Sequence, residues 1–273
     1  MTQDDLEHVQ VGDLEVGFRR AGAGPALVLL HGAVSDGRVW KLAIDALSDD
    51  FTVVAWDAPG CGGSSDPPDD FRMPDYADSL ARFIEAVGLH RPHVLGHSWG
   101  STLALELCLR HPALVDRLIL VGGYAGWAGS LSRDEVERRL AFALAAADEV
   151  EDGGWDPRSM PGLFSDAMSI DRAEDLAGIM GDIRAPATRA MAHALAEADL
   201  RHDLGHIDAP TLVVCGDEDE RSPVEVSRAL EGAIPDATLS VLPGVGHECY
   251  LEDPDLFHAV VRGFLHDHRV VPG

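Results

Sequence analysis

PHVL, residues 92–95, runs into GHSWG, 96–100, and then into STLALELCL, 101–109. The first piece reads as a short buried strand and the last as an apolar helix, so the pentapeptide is the joint between them. A serine between two glycines at such a joint has two readings. Glycines two residues before and two after let strand and helix approach closely, which is a packing role. The same turn also holds the serine hydroxyl up at the carboxyl end of a sheet, with the next N–H at a helix N-terminus. On this second reading Ser98 is a nucleophile, and its partners lie at the same end of the same sheet.

The flanking sequence repeats the pattern. ALVLL (26–30), FTVVAW (51–56), PHVL (92–95), RLILVG (117–122), TLVVCG (211–216) and TLSVLPG (238–244) are short β-branched runs, each ending in a turn. Segments 37–48, 75–87, 99–110, 223–232 and 254–267 carry apolar residues at helical spacing. Near-continuous apolar strands alternating with helices predict an α/β fold, a mostly parallel sheet covered on both faces. The opening LEHVQVGDLEVGFRRAG alternates around Gly12-Asp13 and predicts an antiparallel hairpin. From Tyr124 to His206 the alternation stops and helical patterns follow without a buried strand, around the break EDGGWDPRSMPG. That stretch is too long for an ordinary connection. The expected organisation is a core of residues 1–123 and 207–273 with a helical cap of residues 124–206.

A serine hydroxyl needs a base to take its proton. Of 13 histidines, His247 stands in the glycine-flanked loop LPGVGHECYLEDP, after the last strand and before the last helix. His97 adjoins the serine and is expected to point elsewhere, and His31 is expected to brace the loop HGAVSDG. An imidazole needs a carboxylate to fix its tautomer. GDEDE, after the TLVVC strand, offers Asp219, with Asp217 as the other choice. An oxyanion needs donors already in place. The N–H of Trp99 is one, and HGAVSDG supplies the second at Ala33. Asp57, Ser64 and Ser65, in the loop WDAPGCGGSSDP, are expected to shape that loop. Its glycines lack both nucleotide-binding spacings, so no cofactor is expected, and no metal.

Lys and Arg number 21 against 47 Asp and Glu, a formal charge of -26. So acidic a surface repels phosphate backbones and anionic headgroups, which argues against nucleic-acid and membrane partners. The expected partner is a small-molecule substrate, a neutral or apolar acyl compound. Four scattered cysteines form no metal-like pattern, and the acidic start lacks a signal-peptide profile. A cytoplasmic setting is the expectation.

HG at 31–32, DAPGCGGS at 57–64, GHSWGS at 96–101, GDED at 216–219 and GH at 246–247 together resemble the α/β-hydrolase superfamily, in its order of nucleophile, acid and histidine. The resemblance implies an eight-stranded sheet with a helical cap after the sixth strand. It also implies a catalytic set of Ser98, Asp219 and His247 with oxyanion donors at Ala33 and Trp99. Within the superfamily the outline resembles small capped esterases and enol-lactonases, so hydrolysis of a small carboxylic ester or lactone is the leading expectation. Hydrolysis of a C–C bond in ring-cleavage products is an alternative needing arginines, with Arg184 and Arg189 available. SWGSTLALELCLRHP is similar to the proline iminopeptidases, an amide-hydrolase alternative, although HGAVSDG departs from their HGGPG. A ligand-binding homologue without turnover is a further alternative. Trp40, Trp127, Phe142, Trp155, Phe164 and Met168 are the candidates to line a substrate pocket.

Overall fold

In the computed structural model, which describes residues 6–267, the predicted strands come together in one sheet. They are β1 (Leu6–Val11), β2 (Leu14–Ala21), β3 (Ala26–Leu30), β4 (Thr52–Trp56), β5 (His93–His97), β6 (Leu118–Val121), β7 (Thr211–Gly216) and β8 (Ala237–Leu242). Their spatial order is β1-β2-β4-β3-β5-β6-β7-β8. β1 and β2 form the expected hairpin, with Val11 paired to Leu14 across the Gly12-Asp13 turn. β2 is antiparallel to β4 and every later pairing is parallel. The fold is thus the mostly parallel, helix-flanked sheet that the sequence pattern called for.

The two-residue period of a strand sends alternate side chains to opposite faces. Val28, Leu30, Val54 and Trp56 face a layer containing α2 (Met73–Ala86), α3 (Trp99–Arg110) and α8 (Val224–Ala233). Leu27, Leu29, Val53 and Ala55 face the other layer, α1 (Lys41–Leu47) and α10 (Pro254–His266). Both faces are buried, which is why these strands read as unbroken apolar runs rather than alternating ones.

Between β6 and β7 lie four helices and no strand of the sheet: α4 (Trp127–Ser130), α5 (Arg133–Asp152), α6 (Ile170–Met180) and α7 (Ala185–Glu197). Ser132 caps α5 by accepting the Glu135 N–H, and Gly153 ends it at φ 74. The buried residues of this segment are continuous with the sheet layers. Met191, Ala194 and Leu195 of α7 join one cluster, and Leu176 and Met180 of α6 join the other. A last short helix, α9 (Cys249–Glu252), precedes α10. No helix among the described residues is long and apolar enough to cross a membrane.

Candidate active site

β5 ends at His97 and α3 begins at Trp99, so Ser98 alone makes the turn. It sits at φ 52, ψ -113, a conformation that strains an L residue by about 1–3 kcal/mol. Its backbone is held on both sides. Its N–H donates to the Val121 carbonyl at 2.8 Å, and its carbonyl accepts the Ser101 hydroxyl at 2.6 Å. The flanking glycines have no alternative. A Cβ on Gly96 would lie 2.1 Å from the Gly100 carbonyl oxygen, and one on Gly100 would lie 2.5 Å from that of Leu30. The glycines thus have the packing role, and the same tight packing holds the serine in its strained turn.

Trp99 opens α3, so its N–H is a first-turn donor that no intrahelical carbonyl reaches. Ala33 follows β3 on the neighbouring loop, where Val34 is also held at positive φ, 58. His31 braces this loop. Its Nε2 accepts the Ala58 N–H at 3.1 Å, which leaves Nδ1–H to donate to the Gly32 carbonyl at 2.7 Å. Burial pushes the His31 pKa down, in keeping with that neutral tautomer. Asp57 shapes the glycine-rich loop beside it, bound to Arg19 at 3.1 Å and to the N–H groups of Gly37 and Gly63. Ser64 donates to the Asp57 carbonyl, and the Ser65 hydroxyl accepts the Glu15 N–H.

His247, after β8, and Asp219, after β7, are both buried. His247 Nδ1 lies 2.9 Å from Asp219 Oδ2 and 3.1 Å from Oδ1. Oδ1 also accepts the N–H groups of Arg221 and Ser222, each at 2.8 Å. Burial pushes the Asp219 carboxyl upward, but the charge and hydrogen bond of His247 with those two N–H groups outweigh it. The result lies below the usual carboxylate range. Asp217 is exposed and accepts the Gly244 N–H at 2.6 Å, a turn-forming contact away from the imidazole. Gly122, at φ 53, leaves room for the pair: a Cβ there would be 3.1 Å from His247 Cε1 and 3.3 Å from Asp219 Oδ2.

Ser98, His247, Ala33 and His97 line one cavity of about 280 Å³ at the carboxyl ends of the strands. The place of His97 differs from expectation. Its ring lies 4.8 Å from that of His247, and its Nε2 donates to the His247 carbonyl at 3.1 Å. Its Nδ1 is buried without a partner, and burial holds its pKa well below the ordinary value. Glu248 is buried behind it, 4.0 Å from Nε2, and burial raises its carboxyl pKa. His97, His247 and Glu248 bring metal-type donor atoms within 4.8 Å of one another. Two of the nitrogens there, His247 Nδ1 and His97 Nε2, are already bonded to protein oxygens.

Of the six aromatic and methionine residues expected on the pocket wall, Trp127 and Phe142 are there. The other four are not. Trp40 is fully buried beneath the sheet, its ring 4.5 Å from Tyr250, and Met168 belongs to the same apolar cluster. Trp155 and Phe164 pack against that cluster. The wall is made instead by Met160, Leu163, Met180, Met191 and Leu195, whose helical spacing or bare apolarity marks them only as packing residues. Arg184 and Arg189 point elsewhere, to Asp66 and to Asp148 with Glu151. The arginines on the wall are Arg138, Arg139 and Arg221. Total charge averages over a surface, so a net excess of acidic residues is compatible with three arginines on one wall.

The model of the Alpha/beta hydrolase family matches residues 27–260. A Caulobacter protein named "Putative carbamate hydrolase RutD" is 29% identical over 94% of this chain and 98% of its own. The structure of a thermophilic esterase from Thermogutta terrifontis is 25% identical, with a TM-score of 0.84, covering 95% of this chain and 97% of that one. That of an N-acyl homoserine lactone degrading enzyme is 26% identical, with a TM-score of 0.77, covering 94% and 100%.

Proposed function

The chain belongs to the alpha/beta hydrolase family, and we propose that it is a serine hydrolase of small carboxylic esters or lactones, working through an acyl-enzyme. The observation that carries this reading is the buried His247–Asp219 contact of 2.9 Å beside a serine held in a strained turn on the same cavity. Ser98 Oγ attacks the carbonyl carbon while His247 Nε2 takes its proton. Asp219 holds Nδ1–H and stabilises the imidazolium. The oxyanion rests on the N–H groups of Trp99 and Ala33. His247 returns the proton to the leaving oxygen, and water activated by the same nitrogen releases the acid. Helices α4–α7 serve as the cap, setting the acyl pocket through Trp127, Phe142 and the methionines. Four free, buried cysteines accord with a cytoplasmic setting.

A fluorophosphonate probe tests the chemistry. Labelling of the native protein that Ser98→Ala abolishes is the expected result, and equal labelling of both overturns the reading. A panel of nitrophenyl esters, lactones and carbamates then ranks the bond. Carbamates belong in it because of the Caulobacter relative's name. Attack by Ser98 would be the same, giving a carbamoyl-enzyme in place of the acyl-enzyme. Turnover of a carbamate above every ester and lactone would make that the preferred reading.

A further inference from the structure

In a chain of net charge -26, three arginines on the wall of one cavity stand out. Two of them are paired locally. Arg138 and Arg139 share the Glu135 carboxylate, at 2.6 and 2.5 Å, and Arg139 also donates to the Tyr124 hydroxyl and the Arg221 carbonyl, each at 3.0 Å. Arg221 is different. Its backbone N–H serves Asp219, but its guanidinium makes a single hydrogen bond, from Nη1 to the Pro161 carbonyl at 2.7 Å. No carboxylate among the described residues forms an ion pair with it. A guanidinium offers five N–H donors in a planar fork, so most of this one's capacity is unused.

The side chain lies along the stretch 160–162, which forms part of the cavity wall. A Cβ on Gly162 would come within 3.3 Å of Arg221 Cγ, and Met160, Pro161 and Gly162 all line the space. The nearby carboxylates do not neutralise it. Asp219 is committed to His247, Glu248 is buried beside His97, and Glu220, on the same wall, is exposed and forms no ion pair with the guanidinium. Burial disfavours the charged form of Arg221 more than these neighbours favour it. A half-buried cation without a counter-ion destabilises a protein unless a ligand supplies one.

We propose that Arg221 is a specificity-determining residue that binds a carboxylate on the acyl part of the substrate, so that the favoured substrates are monoesters of small dicarboxylic acids, or lactones that carry a free carboxylate. A guanidinium without an ion pair on the cavity wall matches a single negative charge, and its fork matches the two oxygens of a carboxylate. The proposal rests on the serine-hydrolase reading for the word substrate, but the anion site itself does not.

Two measurements at constant ionic strength test it. The first compares para-nitrophenyl hemiglutarate with the neutral para-nitrophenyl valerate. Arg221→Gln is expected to lower the ratio of kcat/KM for the hemiglutarate over the valerate by about ten- to hundredfold, and Arg221→Lys by less. An equal fall on both esters would make Arg221 a support of the Asp219 loop and overturn the proposal. The second follows thermal unfolding with glutarate, which needs no turnover. Glutarate is expected to stabilise the native protein and not Arg221→Gln, and equal stabilisation of both overturns the anion site. If neither ester is cleaved while glutarate binding still depends on Arg221, the hydrolase reading falls and the carboxylate site stands.

Discussion

His97 holds the backbone of His247: its Nε2–H donates to the His247 carbonyl at 3.1 Å, joining the turn that carries the serine to the loop that carries the imidazole. Both residues are buried and 150 positions apart in the chain. The bond makes the position of the candidate base depend on the turn that presents the candidate nucleophile.

Removing that tie is expected to affect turnover as well as folding. His97→Ala leaves a buried carbonyl without its donor, at about 1–3 kcal/mol. The thermal midpoint should fall, and kcat should fall with KM little moved. His97→Gln, whose amide N–H can reach the same carbonyl, should recover most of kcat. If His97→Ala kept full kcat at a temperature where it is folded, the tie would have no part in positioning His247.

Ser98 stores backbone strain that an unhindered residue would release. Ser98→Ala keeps the Cβ and the strain at φ 52, whereas Ser98→Gly relieves it. Both variants should lose hydrolysis, yet the glycine variant should be the more stable of the two by about 1 kcal/mol. Denaturant unfolding of the pair measures this directly, and the reverse order would show that the turn is not strained.

Two buried carboxyls should shape the pH dependence of stability in opposite ways. The Asp219 pKa is depressed, so its contribution is complete above the unfolded value of 3.8 and is lost as pH falls through the lower folded value. Asp219→Asn should therefore flatten the acid limb of a plot of thermal midpoint against pH. The Glu248 pKa is raised by burial from 4.5, so its penalty is absent below that value and grows as pH rises toward the folded one. Glu248→Gln should then stabilise the protein more at about pH 8 than at about pH 4, and a pH-independent effect would remove burial of the charge as the cause.

Excess negative charge acts on the whole molecule. With a formal charge of -26, self-repulsion opposes compaction, and salt screens it over a distance of about 10 Å at 0.1 M. The thermal midpoint should rise between about 0.05 and 1 M sodium chloride, although screening also weakens surface pairs such as Arg133–Glu137 and Arg189–Asp148. A midpoint that falls with salt would mean that these pairs outweigh the net repulsion.

Strand and helix identity were legible in the sequence because both are local. A two-residue period with both faces buried reads as ALVLL or TLVVCG wherever it occurs, and a turn such as that around Ser98 writes its glycines beside itself. The residues following each strand could likewise be picked as candidates for one site, since strand ends of one parallel sheet converge in space. Which of Asp217 and Asp219 meets the imidazole was not local. It depends on how β7 and β8 lie side by side, and the fold turns Asp219 inward while Asp217 holds the exposed Gly244 turn. The cavity wall was decided by tertiary structure alone. Trp40 and Trp155 carry the same apolar signature as Trp127, and only packing sends the first into an apolar cluster, the second against that cluster and the third to the cavity. Arg221 is one of many arginines in the sequence. What sets it apart is its place on the cavity wall, where the Pro161 carbonyl and no carboxylate meets its guanidinium.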